Sequence, residues 1–335
     1  MEENPLVVEQ LPSVTLKSGE TAAIYKVIGP EPEWEERLLS RLSHKGPLWD
    51  KPMQQALREG LPGLTMTFYQ MRMDDYAVGN LTLVQSLERP VGILQHVFTD
   101  PEHRRKGICN HLLTALVDDF AAQSGRAMYL GTGYDTSPFH IYRTFGFEGI
   151  GTTGGMVRAF DDGYPDNFWL PGSTTIRATR WGDWPLLTAL YELETGWDLR
   201  GYFFGQCGHS SYESAYCKLQ ETMEKQQAQQ VMVLECDETG ALAGHAFLAY
   251  DEKWPNGPLV LDFFVHPDFA EDSERLLGAI QMPADIKIQA YCDNRAEVRA
   301  EVLEAIGFKL EATLKNQYRT KAGPPADVHI YAFGP

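Results

Sequence analysis

The chain has 335 residues, of which 43% are hydrophobic and 22% are charged. This composition excludes a disordered or fibrous protein and, at about 150 residues per domain, leaves room for two domains. The formal net charge of −17 argues against a nucleic-acid partner, because a polyphosphate is bound by an excess of positive charge. A cationic substrate would be attracted instead, most strongly by the second half of the chain, which holds most of the acidic excess.

The sequence carries no signal for a membrane or for export. No apolar stretch approaches the roughly 18 residues of a spanning helix, and the first residues lack the basic and apolar regions of a signal peptide. We therefore expect a cytoplasmic protein without a membrane partner. The five cysteines include no C-x-x-C pair, so reduced, mostly buried thiols and no metal site are expected.

The first half of the chain is predicted to be a mixed α/β domain. Helical stretches are expected at residues 34–42 and 106–124, and in the second of these the apolar side chains recur near the 3.6-residue period. This helix should pack on a sheet. The predicted strands cover residues 22–28, 64–72, 76–85, 91–99 and 127–131.

After a cluster of Gly, Pro and Asx residues the order of elements repeats. We place a linker at residues 161–172, between a domain at 1–160 and a second domain at 173–335. Phe98-Thr-Asp-Pro101 matches Phe264-Val-His-Pro267, and Phe145-Gly-Phe147 matches Ile306-Gly-Phe308. These matches predict a duplicated domain. The elements expected in the second copy are strands at 231–235, 243–250, 259–266 and 286–291 and helices at 272–280 and 296–306.

Residues 92–113 are the most informative about function. A buried strand leads through a Pro-marked turn and a basic glycine loop into the amphipathic helix. The N–H groups at a helix start lack internal partners and lie at the positive end of the helix dipole, so they favour an anion. Gly107 lets the backbone come close, and Arg104, Arg105 and Lys106 add positive charge. The pattern favours a phosphate site; the alternative is a solvated basic turn that caps the helix.

Two motifs in this half resemble those of a known family. Arg104-Arg-Lys-Gly107-Ile-Cys109 resembles the R/Q-x-x-G-x-G/A signature of the GNAT superfamily of acyl-CoA-dependent N-acyltransferases, with Cys109 in place of the final Gly or Ala. Tyr142-Arg-Thr-Phe-Gly146-Phe147 resembles its Y-x-x-x-G-F element. The resemblance spans about residues 64–151. Together with the repeat it implies an α/β fold of two GNAT-like domains, each a mixed, mostly antiparallel twisted sheet flanked by helices.

The resemblance also implies where a coenzyme would bind. In the family, the pantetheine arm of acetyl-CoA lies like an extra strand beside a splayed strand, at positions matching Val97, Phe98 and Thr99. The basic loop would hold the pyrophosphate through Arg104, Arg105, Lys106, Gly107, Ile108 and Cys109. Tyr142 matches the family's usual general acid, which protonates the departing coenzyme A thiolate. A buried core tyrosine with a satisfied hydroxyl is the alternative for Tyr142.

A general base is expected as well. An ammonium acceptor with a pKa near ~10.4 must lose a proton before it attacks a thioester. Some relatives carry a carboxylate at the position of Ile93, which cannot serve here. His96, on the same strand, is the candidate base. Alternatively, His96 is a packed, hydrogen-bonded residue. The acceptor would then lose its proton through water to an acidic group.

The second copy is predicted to be degenerate. Mostly acidic side chains and no glycine follow Phe264-Val-His-Pro267, and Leu303 stands at the tyrosine position. We expect it not to bind acetyl-CoA in the usual way, and to support the first copy or shape its acceptor pocket; simple structural retention after duplication is the alternative.

The predicted function is transfer of an acetyl group from acetyl-CoA to a small-molecule or peptide amine by direct attack. Cys109, beside the phosphates, is a poor candidate for an acyl-enzyme nucleophile. The alternatives are a non-catalytic acyl-CoA sensor or scaffold, and a GNAT-fold transferase that uses a longer acyl group. The sequence leaves open which amine accepts the group and how the chains assemble.

Overall fold

The computed structural model describes residues 7–42, 45–251, 253–254, 256–319 and 324–335. The chain divides into two compact units. The first contains the residues up to Tyr164 together with Arg180–Pro185, and the second contains Pro165–Thr179 and Leu186–Pro335. The segment expected as a linker, residues 161–172, is thus divided between the units. It contributes buried aromatic side chains, at Phe168 and Trp169 among others.

The first unit is built on one sheet, whose nine described strands are β1 (Val8–Gln10), β2 (Val14–Thr15), β3 (Thr21–Ile28), β4 (Leu64–Met73), β5 (Tyr76–Ser86), β6 (Val91–Thr99), β7 (Ala127–Gly131), β8 (Glu148–Ile150) and β9 (Gly155–Ala159). Their order is β1-β3-β4-β5-β6-β7-β9-β8, with β2 paired to β3. The pair β6–β7 is parallel, whereas β5–β6 and β7–β9 are antiparallel.

Helices cover both faces of this sheet. They are α1 (Glu35–Leu42), α2 (Pro47–Arg58), α3 (Ile108–Ala122) and α4 (Ser137–Thr144). Leu112, Leu116 and Phe120 of α3 pack with the sheet residues Leu83 and Leu94 in the core of the unit. On the other face the Gln70 side chain, from β4, donates to the Arg37 carbonyl of α1. The Trp49 ring of α2 meets the His96 ring of β6 edge-on.

The second unit repeats this arrangement. Its main sheet has the order β10-β13-β14-β15-β16-β18-β17, and β15–β16 is its parallel pair, as β6–β7 is in the first unit. A separate hairpin pairs β11 with β12. The described strands are β10 (Thr174–Ala178), β11 (Leu199–Gly201), β12 (Gln206–Cys207), β13 (Ala228–Cys236), β14 (Leu242–Tyr250), β15 (Leu259–Val265), β16 (Ile288–Asp293), β17 (Lys309–Arg319) and β18 (Pro325–Phe333).

The helices that follow from Arg180 onward are α5 (Trp184–Tyr191), α6 (Glu213–Glu224), α7 (Ser273–Gly278) and α8 (Glu297–Ala305). The predicted fold, two mixed and mostly antiparallel sheets flanked by helices, is confirmed. The repeat is visible strand by strand, because β3, β4, β5, β6, β7, β9 and β8 correspond in order to β10, β13, β14, β15, β16, β18 and β17.

Several boundaries differ from the prediction. Helix α3 begins at Ile108 rather than at residue 106, because Gly107 has φ +91° and ends the irregular loop before the helix. Helix α7 is shorter than expected, since a 3-10 turn at Pro267–Asp272 precedes it. Helix α2 was not predicted. It contains Pro52, a residue that normally argues against a helix interior.

The close approach of α3 to the sheet depends on Gly79 in β5. A Cβ atom at that position would lie 2.6 Å from Cγ2 of Ile108 and 3.1 Å from the Phe98 carbonyl oxygen. Even a methyl group would therefore push the start of α3 away from the strand.

We predict that Gly79→Ala lowers the free energy of unfolding by about 1–3 kcal/mol, the usual cost of overpacking a core. Urea denaturation followed by circular dichroism measures this change. Gly278→Ala is the control, because a Cβ there meets nothing within 4 Å, and it should be neutral or slightly stabilising. Equal stability of the two variants would show that the approach at Gly79 is not tight.

Candidate active site

Strands β6 and β7 separate soon after they meet. Among the described residues, their parallel ladder joins Val91, Gly92 and Ile93 to Ala127, Met128 and Tyr129. Strand β6 nevertheless continues to Thr99, still paired with β5 on its other edge. Its second half therefore presents one edge of backbone N–H and C=O groups to a gap between the parallel strands. The predicted coenzyme residues Val97, Phe98 and Thr99 lie in this half, and all three are half-buried.

The predicted phosphate loop lies directly beyond the end of β6. The Asp100 carboxylate accepts from the Glu102 N–H and fixes a short 3-10 turn, after which the chain reaches Gly107. The His111 N–H donates to the Gly107 carbonyl at 3.1 Å. The N–H groups of Ile108, Cys109 and Asn110 precede that bond and have no acceptor within the helix, so they are available to an anion.

The three basic side chains of the loop differ in their surroundings. Arg104 and Arg105 are exposed, and Nε of Arg104 lies 3.4 Å from the Thr99 carbonyl oxygen, which ties the loop to the end of β6. Lys106 forms an ion pair with Glu20, with 2.8 Å between Nζ and Oε2. This contact with Lys106 lowers the pKa of the Glu20 carboxyl, so the pair stays ionised and part of the positive charge of Lys106 is neutralised.

A further lysine, which the sequence did not reveal, lies beside the loop. The Lys17 N–H donates to the Lys106 carbonyl at 3.0 Å, and a Cβ at Gly107 would lie 3.6 Å from Cγ of Lys17. Lys17 belongs to the turn between β2 and β3, about ninety residues earlier in the chain. No local pattern links it to the loop, so only the folded chain identifies it.

Cys109 lies in the first turn of α3. Burial raises the pKa of its thiol to about 11, so it is protonated at neutral pH. A protonated thiol is a weak nucleophile, which agrees with a packing role for Cys109 rather than an acyl-enzyme.

Tyr142 is a buried side chain of α4. Its ring packs edge-to-face against Phe147 at 6.1 Å, and it belongs to the same core cluster as Ile108 at the start of α3. Its carbonyl accepts from the N–H groups of Phe145 and Phe147, at 2.9 and 3.2 Å, where the helix ends. The offset of four residues between Tyr142 and Gly146 therefore marks the end of helix α4, where a glycine follows the last helical turn.

His96 lies at an irregularity of β6. Its side chain is buried on the side of the sheet covered by α2, 5.5 Å from the ring of Trp49, and its φ is +54°. Tyr142 packs with the core on the α3 side. The structure thus gathers Val97–Thr99, the basic loop and the start of α3 at one end of β6, whereas the side chains of His96 and Tyr142 belong to different faces of the sheet.

The second unit has the same strand separation and a different continuation. The ladder between β15 and β16 joins Leu259 and Val260 to Ile288 and Gln289. Next along the chain, the His266 imidazole accepts from the Asp268 N–H, as the Asp100 carboxylate accepts from Glu102 in the first unit. The short helix α7 then follows without a glycine at its start.

The chain's own backbone bridges the separated strands of this unit. The Leu199 N–H donates to Asp293 of β16 at 2.7 Å, and the Phe203 N–H donates to Asp262 of β15 at 2.6 Å. Arg299 of α8 donates to the Leu199 carbonyl at 2.7 Å and lies 3.3 Å from Asp262. Burial raises the pKa of Asp262, and Arg299 opposes that shift. Beside this network, Trp197, Phe264 and Arg299 line a cavity of about 520 Å³.

Neither a metal cluster nor a spanning helix is found in the described part of the chain. No group of three or more His, Cys, Asp or Glu side chains there could hold a metal ion. Among the same residues, every helix is too short or too polar to cross a bilayer.

Comparison with known proteins gives one family match, to part of the chain. Residues 32–147 match the sequence model of the Acetyltransferase (GNAT) family. No curated protein sequence matches the chain.

Similar solved structures include a GNAT-family acetyltransferase from Staphylococcus aureus Mu50, with 20% identity, a TM-score of 0.34, and 41% of this chain and 99% of that one covered. Spermidine N-acetyltransferase from Vibrio cholerae, solved with CoA and spermine, has 17% identity and a TM-score of 0.37, with 48% and 94% covered. A tandem GNAT protein from the clavulanic acid biosynthesis pathway has 14% identity and a TM-score of 0.35, with 94% and 99% covered.

The matched residues indicate an acyltransferase domain in the first unit. The family match, residues 32–147, lies in the first unit; the second unit repeats the strand order but lacks the glycine and the basic residues of the loop.

The ion pair between Lys106 and Glu20 should limit the affinity of the loop for phosphate. We predict that Glu20→Gln, which releases Lys106, raises the affinity for adenosine 3′-phosphate 5′-diphosphate about threefold, the scale of one exposed ion pair. Isothermal titration calorimetry measures the change. Glu102→Gln removes one negative charge from the adjoining turn and is the control. If both variants gain equally, the effect comes from net charge and not from the ion pair.

Proposed function

We propose that the first unit, within residues 1–160, transfers the acetyl group of acetyl-CoA to the amine of a small molecule or peptide. The observation that carries this proposal is the gap between β6 and β7, with the glycine-started helix α3 at its open end. The edge of β6 that faces this gap, next to a cluster of N–H donors and basic side chains, suits a ligand with an amide-bearing arm and a diphosphate. Coenzyme A has both parts.

Each group of residues has a role in this proposal. The backbone of Val97, Phe98 and Thr99 pairs with the amides of the pantetheine arm. Arg104, Arg105, Lys106 and the N–H groups of Gly107, Ile108 and Cys109 hold the pyrophosphate. The bound coenzyme supplies an activated thioester carbonyl.

The reaction is a direct transfer between two substrates. The neutral acceptor nitrogen attacks the thioester carbonyl, the carbon–sulfur bond breaks, and Tyr142 donates a proton to the departing thiolate; the proton that the new amide nitrogen releases then restores the phenol of Tyr142. The acceptor ammonium loses a proton beforehand, either to His96 or through water to an acidic group. An acyl-enzyme is not needed, because the thiol of Cys109 is protonated and lies beside the phosphates rather than the thioester.

The acidity of the chain supports an acceptor that carries positive charge. A formal net charge of −17 draws a polyamine or another cationic amine toward the protein, and the attraction weakens as salt is added. We therefore propose a cationic amine as the acceptor. The second copy, residues 173–335, is proposed to support the first copy without binding acetyl-CoA.

The function is tested by measuring free thiol released from acetyl-CoA in the presence of a panel of amines, with butyryl-CoA and palmitoyl-CoA in parallel. Release that depends on both acetyl-CoA and one class of amine is expected. Binding of acetyl-CoA without release, for every amine tried, would identify a sensor or scaffold instead. Faster release from a longer acyl-CoA would identify a different acyl donor.

We predict that Tyr142→Phe lowers kcat by about 100-fold, as expected for loss of a positioned general acid, while the Kd for acetyl-CoA stays the same. Steady-state kinetics and calorimetry separate the two effects. Tyr134→Phe is the matched control, because Tyr134 is an exposed phenol shortly before α4 and should not affect turnover. Unchanged kcat in Tyr142→Phe would remove Tyr142 as the acid.

A further inference from the structure

Strand β6 carries one more residue than its partner where it turns toward the gap. Asn80 pairs with Phe98, but Thr82, two residues further along β5, pairs with Gln95. Two steps on β5 therefore oppose three steps on β6, which is a β-bulge. The extra residue changes the direction of β6 immediately before Val97, Phe98 and Thr99.

The bulge contains a residue in an unfavourable backbone conformation. His96 has φ +54°, in the left-handed region, where a residue with a Cβ is less stable than glycine. Such a conformation persists only where neighbouring contacts hold it in place.

Asn80 makes one such contact. Its side-chain Nδ2 donates to the His96 carbonyl oxygen at 2.8 Å. Asn80 is 1% exposed and His96 is 2% exposed, so water does not compete for this bond. A buried carbonyl that loses its donor is costly, and the cost here would fall on the bulge.

The second unit shows what the strand pair looks like without this contact. Gly244 and His245 pair with Val265 and Phe264, as Gly79 and Asn80 pair with Thr99 and Phe98. His245 therefore occupies the position of Asn80. From there the ladder continues without a shift to the pair Tyr250–Leu259, and no described residue of β15 has a positive φ.

The asparagine, the bulge and the basic loop thus occur together in the first copy and are absent together from the described part of the second. A bulge that served the fold alone would be expected in both copies, because both sheets have the same strand order. Instead, the bulge occurs in the copy that carries the basic loop.

We propose that Asn80 is a positioning residue for the coenzyme: its side-chain amide holds the bulge at His96 and so directs the backbone edge of Val97, Phe98 and Thr99 toward the pantetheine arm. This inference rests on the proposed function. The buried side chain of Asn80 should affect binding of the pantetheine arm and should not affect binding of the phosphates.

The test compares a whole coenzyme with its phosphate-bearing part. Asn80→Leu keeps the approximate volume of the side chain and removes the donor. We expect the affinity for acetyl-CoA to fall about tenfold, the scale of one buried hydrogen bond, and the affinity for adenosine 3′-phosphate 5′-diphosphate to stay within twofold of the wild type. Equal losses for both ligands would overturn the proposal, since they would indicate a general structural effect.

Thr82→Val is the matched control. Thr82 lies two residues further along β5 and is fully buried, and its hydroxyl has no hydrogen-bond partner among the described residues. The variant should bind both ligands as the wild type does. A tenfold loss of acetyl-CoA affinity in Thr82→Val would show that any change under this part of the sheet has the same effect, and would overturn the specific role of Asn80.

A second substitution, at His96, tests the proposal independently. Glycine adopts a positive φ without strain, so a bulge with glycine at position 96 should not need the hydrogen bond from Asn80. We expect Asn80→Leu to cost less than threefold in acetyl-CoA affinity when it is made in the His96→Gly background. A full tenfold loss in that background would mean that Asn80 does not act through the bulge.

Asn80→Asp serves if the leucine variant does not fold. An ionised carboxylate cannot donate to the His96 carbonyl, but a protonated one can. The ratio of acetyl-CoA affinity to wild type should therefore be low at pH 8 and should rise toward one as the pH falls to 5. A ratio that does not change with pH would overturn the proposal. If the wild type itself binds the phosphate compound but gains nothing from the pantetheine arm, the proposed function fails, and this inference fails with it.

Discussion

The separation of one parallel strand pair is the constraint on which the first unit depends. Strands β6 and β7 pair over three residues each and then diverge, while β6 stays paired with β5 on both sides of the bulge, as far as Thr99. The divergence leaves backbone groups of β6 without a strand partner at the place where the chain turns into α3. Backbone polar groups in such a position need a partner, and a peptide-like ligand can supply one. The loop, the helix start and the bulge all lie within fifteen residues of this point.

The two copies solve the same problem in different ways. In the second unit, aspartates at positions 262 and 293 receive N–H groups from the segment that begins at Leu199, and Arg299 binds carbonyls of that segment. These groups are buried charges, which are stable only when they are paired and hydrogen-bonded. The acidic residues that follow Pro267 would also repel a diphosphate.

The motif residues and the repeat could be predicted from the sequence because their signals are local or periodic. Gly107 and the Tyr142 element stand at fixed offsets from a strand and from a helix end, and these offsets reflect a helix N-terminus and a helix C-cap. Lys17 and Asn80 could not be found in this way. Each contacts a backbone carbonyl in a different segment of the chain, at Lys106 and at His96, and only the folded chain brings these partners together. Helix α2 was missed for a related reason: tertiary packing of Met53 and Leu57 outweighs the local effect of Pro52.

The internal bridge of the second unit has a thermodynamic consequence. Because that unit bridges its separated strands with its own backbone, this part of its stability needs no external partner. Under the proposed function, the first unit receives the corresponding contacts from the coenzyme, and its folding equilibrium would then be linked by mass action to the coenzyme concentration. The proposal thus implies two copies of one architecture, of which one is bridged internally and the other gains stability when the coenzyme is bound.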